Sequence, residues 1–146
     1  MFYIEKKEEN MTRKSGFTLV ELLICLFMVA ILMGIAYPSY QNFIIKARRA
    51  DAQNELLKAQ IQQSNHRITH PTYIDGSNGV GLPSNNIYYT FSVVSASSHT
   101  YVMKAEANIN SSQNNDDLAC RSLFIDQNSL QTKDGELENA ACWSQR

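Results

Sequence analysis

The longest apolar run in the chain opens at Phe17 and closes at Tyr37, reading FTLVELLICLFMVAILMGIAY, with Glu21 as its one charged residue. A helix of that length is roughly 30 Å long, enough to cross the hydrocarbon core of a bilayer. A secretory signal would be shorter and would end in a small-residue cleavage site. Here "YPSYQNFIIKARRADAQNELLKAQIQQSNHRI" continues in helix-forming residues instead, so the run reads as a retained anchor. Beyond Pro38, residues Tyr40, Phe43, Ile44, Ala47, Ala50, Leu57 and Ile61 recur at three- and four-residue spacings, which predicts an amphipathic helix with that stripe buried. The two stretches together predict one helix from Phe17 to about Asn65, roughly 70 Å long.

The period then changes. In "NHRITHPTYIDGSNGVGLPSNN", Pro71 and the Gly, Asn and Ser residues after it mark a loop. "IYYTFSVV" alternates, with Ile87, Tyr89, Phe91 and Val93 on one face. "TYVMKAEA" alternates as well, Tyr101, Met103 and Ala105 pointing one way and Lys104 and Glu106 the other, and "SASS" between the two serves as a hairpin loop. After the polar stretch "INSSQNNDD", the segments "CRSLFID" and, more weakly, "SLQTK" read as a third and a fourth strand. The fold class is α+β: a long N-terminal helix whose amphipathic half packs on an antiparallel sheet of about four strands.

At 146 residues the chain has room for one small domain and one special segment. A formal net charge of -1 advertises no overall basic field. Of the three cysteines, Cys25 lies in the apolar run and reads as a small hydrophobe, while Cys120 and Cys142 lie beyond it. Lys6, Lys7, Arg13 and Lys14 ahead of the run keep the N-terminus cytoplasmic, so that everything after Tyr37 is exported. In that oxidising compartment Cys120 and Cys142 are expected to form one disulfide.

Anchoring does not explain Glu21. A carboxylate deep in a membrane helix costs about 2.5–3.5 kcal/mol, less near its end, and such residues usually have a partner. The run itself contains no cation. Cutting between Gly16 and Phe17 would create one, because the new α-amine of Phe17 stands at i,i+4 spacing from Glu21.

The stretch "KSGFTLVELL", its apolar run and the following "GIAYPSYQNF" resemble the N-terminus of a type IV pilin precursor. The resemblance implies that a prepilin peptidase cleaves after Gly16 and methylates the new N-terminal Phe17. It implies that Glu21 pairs with the N-terminal amine of an adjacent subunit during assembly. Pro38 matches the proline that bends the family helix where it leaves the membrane, and Gly34 and Pro38 weaken the helix there. Met11 would give a six-residue leader, MTRKSG, typical of the type IVa class, and is the expected start of translation. The Cys120–Cys142 segment resembles the disulfide-bounded region of these pilins, and the closing "AACW" resembles small PilE-like minor pilins. The expected plan is a leader over 1–16, an apolar assembly helix over 17–37, its amphipathic continuation over 38–66 and a sheet domain over 67–146.

Other chemistry fares poorly. His66, His70 and His99 have no metal-ligand spacing with the cysteines, and there is no P-loop, HExxH or G-x-S-x-G. No catalytic residue, metal or cofactor is expected. The acidic residues Asp126, Asp134, Glu136 and Glu138 invite comparison with the calcium site of secretion pseudopilins, but EF-hand spacing is absent. From Thr69 onward four basic residues face eight acidic ones, so direct nucleic-acid contact is not expected. Lys46, Arg48 and Arg49 would meet lipid headgroups or acidic groups on a packed neighbour. The preferred reading is a minor pilin supporting a surface pilus and its motility, adhesion or DNA uptake. Its partners would be major and minor pilin subunits, prepilin peptidase and the inner-membrane assembly machinery. A major pilin, a type II secretion pseudopilin and a DNA-binding receptor pilin follow as alternatives.

Overall fold

The computed structural model describes residues 16–129 and 140–143. The leader up to Ser15, the fourth strand beyond Ser129, and Asp134, Glu136 and Glu138 of the acidic cluster lie outside the described residues. Helix α1 runs Leu19–Thr69, strands β1 Tyr89–Ala96, β2 Tyr101–Ala107 and β3 Ser122–Asp126 follow, and a short helix α2 covers Ala140–Trp143. The chain divides into two compact units, one ending at Ser39 and the other beginning at Tyr40.

In the first unit α1 starts at Leu19 rather than Phe17 because Thr18 takes the capping position. Its Oγ1 accepts from the Glu21 N–H at 3.2 Å, while its own N–H donates to Glu21 Oε2 at 3.0 Å. That reciprocal pair is a capping box, which satisfies two of the amide groups a helix start leaves without partners. The helix passes through Pro38, which cannot donate to the carbonyl four residues earlier, that of Gly34. Every side chain from Gly16 to Ser39 is exposed.

The second unit has a core. Its three strands form an antiparallel sheet in the order β1-β2-β3. Tyr89, Phe91, Tyr101, Met103 and Ala105 point into the core as the alternation predicts, joined by Leu123 and Ile125 of β3. Ile87 does not: it precedes the strand and is exposed. The register shifts between Val93 and Ser95, a bulge that carries β1 on to Ala96. The hairpin loop is therefore Ser97–Thr100 instead of "SASS", closed by the Ser97 N–H donating to the Thr100 carbonyl at 2.9 Å.

The expected buried stripe of α1 faces outward. Phe43 is 67% exposed and Tyr40 62%, and Ala47, Ala50, Leu57 and Ile61 are exposed with them. The buried face is Ile45, Arg49, Ala52, Leu56, Ala59 and Gln63, at alternating spacings of four and three. Two polar residues on that face obscured it in the sequence, and both are paired. Gln63 exchanges hydrogen bonds with the Ile74 backbone, Nε2 to the carbonyl and N–H to Oε1, each 2.8 Å. Arg49 meets Asp116.

Cys120 and Cys142 are bonded, with Cα atoms 5.5 Å apart and a sequence separation of 22. A loop of that size stabilises by roughly 3 kcal/mol in the chain-entropy account. The bond holds α2 against the core, and Gln53 Nε2 adds a hydrogen bond to the Cys142 carbonyl at 2.9 Å.

Candidate functional site

At the start of the apolar segment, Gly16, Phe17 and Thr18 precede the first helical residue, so the Gly16–Phe17 junction lies outside the helix. A Cβ on Gly16 would meet nothing within 4 Å, and the same holds for Gly34. Nothing among the described residues requires glycine at either position. Behind them Glu21 accepts from both the N–H and the hydroxyl of Thr18 at 3.0 Å. The spacing Thr18-x-x-Glu21 is legible in the sequence as a capping box, and reading Glu21 only through its lack of a cation passed over it. One helix among the described residues, α1, is long and apolar enough to cross a membrane.

Two cations of the second unit, Arg48 and Arg49, are spent internally. Arg49 Nε donates to Asp116 Oδ2 at 2.9 Å and its Nη2 to Oδ1, with both side chains almost wholly buried. Asp116 also accepts from Gln113 Nε2 at 3.1 Å and from the Asp117 N–H at 2.8 Å. The desolvated carboxylate thus has its lone pairs filled, the condition under which a buried ion pair is tolerable. Gln113 Nε2 also reaches the Ile45 carbonyl of α1 at 3.1 Å, so helix and loop are tied twice. Burial, with Asp116 adding to it, pushes the nearby Tyr89 phenol upward. Arg48 lies over the Tyr88 ring, 3.9 Å from its centroid, and bonds to the Ser112 hydroxyl.

This corrects the reading of the basic cluster. Arg48 and Arg49 hold the β2–β3 loop on their own helix, and Lys46 alone of the three is exposed. The outward apolar stripe continues into an open groove of about 420 Å³, where Phe43, Ala47 and Ala50 stand beside Cys142.

Residues 38–124 match the protein family described as "Type IV minor pilin ComP, DNA uptake sequence receptor". The chain belongs to this family of type IV pilins. Residues 11–37 match the prokaryotic N-terminal methylation motif. Among relatives of this pilin, prepilin peptidase-dependent protein D of Escherichia coli is 32% identical over 81 residues, 53% of this chain and 56% of that protein. Type IV major pilin protein PilE1 of Neisseria gonorrhoeae is 32% identical over 50% of this chain and 44% of its own. Type IV wide pilus major component PilA4 of Thermus thermophilus is 32% identical over 65% of this chain and 75% of its own. The pilin spans about half the length of the first of these relatives. Helix, antiparallel sheet and disulfide together are the type IV pilin α+β fold, with three strands among the described residues.

Proposed function

We propose that this pilin is a minor subunit of a type IV pilus, cleaved between Gly16 and Phe17 by prepilin peptidase, methylated on Phe17 and assembled through α1. The observation that carries the reading is the exposed apolar segment: it begins at a glycine that no described residue crowds, and Glu21 is its one charge. Lipid satisfies such a surface before assembly and neighbouring helices afterwards. Glu21, held by Thr18 in the uncleaved chain, gains a cation when the Phe17 amine is released, and pairing with that amine on an adjacent subunit sets register. Missing the hydrogen bond from residue 38 and lacking a side chain at residue 34, the helix is weakest over Gly34–Pro38 and gives way there first. The outward stripe of Tyr40, Phe43, Ala47 and Ala50 supplies a second packing surface. The exported domain faces the periplasm and then the cell exterior.

Quantitative mass spectrometry of filaments sheared from cells tests this. A methylated peptide beginning at Phe17, at a small fraction of another pilin's abundance, is the expected result. Dominant abundance would make the subunit the major pilin, and processed protein left in the envelope would make it a secretion pseudopilin. Glu21→Ala is expected to leave cleavage intact and to reduce recovery in sheared filaments several-fold; unchanged recovery would remove the pairing role.

A second reading, contact with DNA, is favoured by the description of the matching family. Against it stands the acidic balance after Thr69, and the use of Arg48 and Arg49 inside the domain removes two further cations from any phosphate track. Gel-shift titration of duplex DNA with the full chain at physiological salt separates the two: saturable binding that weakens steeply with added salt would favour the receptor.

A further inference from the structure

We propose that Ile87, Ile109 and Leu118 form a lipid-facing surface, which enters the interfacial layer of the bilayer while the subunit is still anchored there. The inference rests on the reading of residues 17–37 as a membrane anchor. Beyond α1, four large hydrophobic residues are exposed among the described residues. These three are the most open of them, at 76%, 79% and 76% against 55% for Val94. Scattered singly, such residues are ordinary surface. Here each stands within three residues of a tie to one short stretch of α1. Tyr88, next to Ile87, has Arg48 over its ring, 3.9 Å from the centroid. The hydroxyl of Ser112, three residues beyond Ile109, accepts a hydrogen bond from Arg48. Asp116, two residues before Leu118, pairs with Arg49, and Gln113 Nε2 between them donates to the Ile45 carbonyl at 3.1 Å. Asn108 joins the two loops, its Nδ2 donating to the Asn86 and Ile87 carbonyls at 3.1 and 2.8 Å.

Ile45, Arg48 and Arg49 follow closely on Tyr40, where the second unit begins, within a helical rise of about 8–14 Å. The covalent tether alone therefore keeps the three aliphatic residues near the level at which the apolar run leaves the membrane, whatever angle the two units adopt. Tyr37 and Tyr40, exposed at the close of that run, are of the type that sits among lipid headgroups. Lys46, exposed on the same stretch of helix, suits anionic headgroups. The carboxylate of Asp117, beside Leu118, is held by its own loop, accepting from the Ala119 N–H at 3.2 Å. Three side chains offer too little apolar area to bring a free domain to a membrane. Tethered, the domain meets the bilayer at the roughly millimolar effective concentration that a short linker provides, and weak contacts then suffice.

Site-directed fluorescence of the full chain in vesicles of phosphatidylethanolamine and phosphatidylglycerol tests the surface. A nitrobenzoxadiazole label is placed on one thiol at a time, and quenching is read with nitroxide lipids, either shallow (near the headgroup) or deep (at the chain end). In the parent the label goes to Cys25, the thiol that the disulfide leaves free. Quenching there by the deep nitroxide is expected; its absence would remove the anchor, and the surface with it. In a Cys25→Ser background, labels carried by Ile87→Cys and by Ile109→Cys are expected to be quenched by the shallow nitroxide, with blue-shifted emission. A label carried by Ile68→Cys, about 30 Å farther along α1 than Arg48, should fluoresce as in water. Quenching at Ile109→Cys should fall by about twofold or more in the presence of Ile87→Ser and Leu118→Ser, because interfacial binding scales with apolar area. Thermal unfolding of each variant checks that the domain persists. With Cys25 quenched, any of three results would overturn the proposal: labels at Ile87→Cys and Ile109→Cys that remain in water, equal quenching at Ile68→Cys, or quenching at Ile109→Cys that the two serines leave unchanged.

Discussion

Between Gly16 and Ser39 every side chain of the chain is exposed, whereas from Ile45 to Gln63 one face of the same helix is closed over by loop and sheet. The first stretch contains hardly a polar group and leaves its apolar surface unpaired. The second buries an arginine and a glutamine and pairs both. Apolar surface is normally hidden by the chain that carries it, and patches this large mark interaction sites. Under the proposed function the residues of the first stretch answer to lipid, peptidase and neighbouring subunits, and those of the second answer to the domain's own core. Substitutions in the first should change processing and assembly without touching domain stability, and substitutions in the second should do the reverse.

The largest effect expected is at Gly16. Because a Cβ there meets none of the described residues, Gly16→Leu should leave the thermal unfolding of the domain unaltered. It should nonetheless abolish conversion to the form that begins at Phe17, read as the intact mass of membrane-extracted protein. A processed Phe17 terminus in this variant would show that the junction lies elsewhere. Asp116→Ala should behave oppositely. It strands the Arg49 guanidinium in a buried site and should cost about 3–5 kcal/mol of stability, measured by denaturant unfolding, while cleavage proceeds.

Leu56 and Leu57 sharpen the comparison within one turn of helix. Leu56 is fully buried and Leu57 is 40% exposed on the outward stripe. Leu56→Ala should cost about 2–5 kcal/mol, and Leu57→Ala should stay within roughly 1 kcal/mol. Equal losses would mean that both faces are packed within the chain.

That pair also shows why the sequence was legible in some places and not in others. The membrane-length run, the alternation of Tyr101, Met103 and Ala105, and the pairing of Cys120 with Cys142 could all be read, because in each the signal and its partner are local or the choice is forced. The helix face could not. Tyr40, Phe43, Ala47 and Ala50 form the stronger apolar stripe, and periodicity reports that a stripe exists without reporting what covers it. The face that the domain does cover contains Arg49 and Gln63, whose partners Asp116 and Ile74 lie 67 and 11 residues away. Polar residues count as surface until those partners are known. Thr18-x-x-Glu21 was missed for another reason: a carboxylate in an apolar run prompts a search for a cation, and an amide and a hydroxyl serve it in the uncleaved chain.

The smallest effect at neutral pH is expected at Tyr101, whose ring is buried against Tyr73 while its hydroxyl, near Gln60, makes no well-formed hydrogen bond among the described residues. Burial pushes this phenol up to about 12, against about 10 for tyrosine in an unfolded chain. The folded state therefore keeps its proton to higher pH than the unfolded state does. Its contribution is complete below about pH 10 and is lost as pH rises towards 12, since the unfolded chain ionises first and is favoured by doing so. Tyr101→Phe removes both the hydroxyl and the titration. At pH 7 the variant should match the parent within roughly 1 kcal/mol, because no well-formed hydrogen bond among the described residues is lost. At pH 11 it should be the more stable of the two in thermal unfolding. Tyr89→Phe should add to the difference, its phenol being raised by burial and by Asp116. A gap between parent and variant that is the same at pH 7 and pH 11 would mean that Tyr101 ionises as freely in the folded domain as outside it.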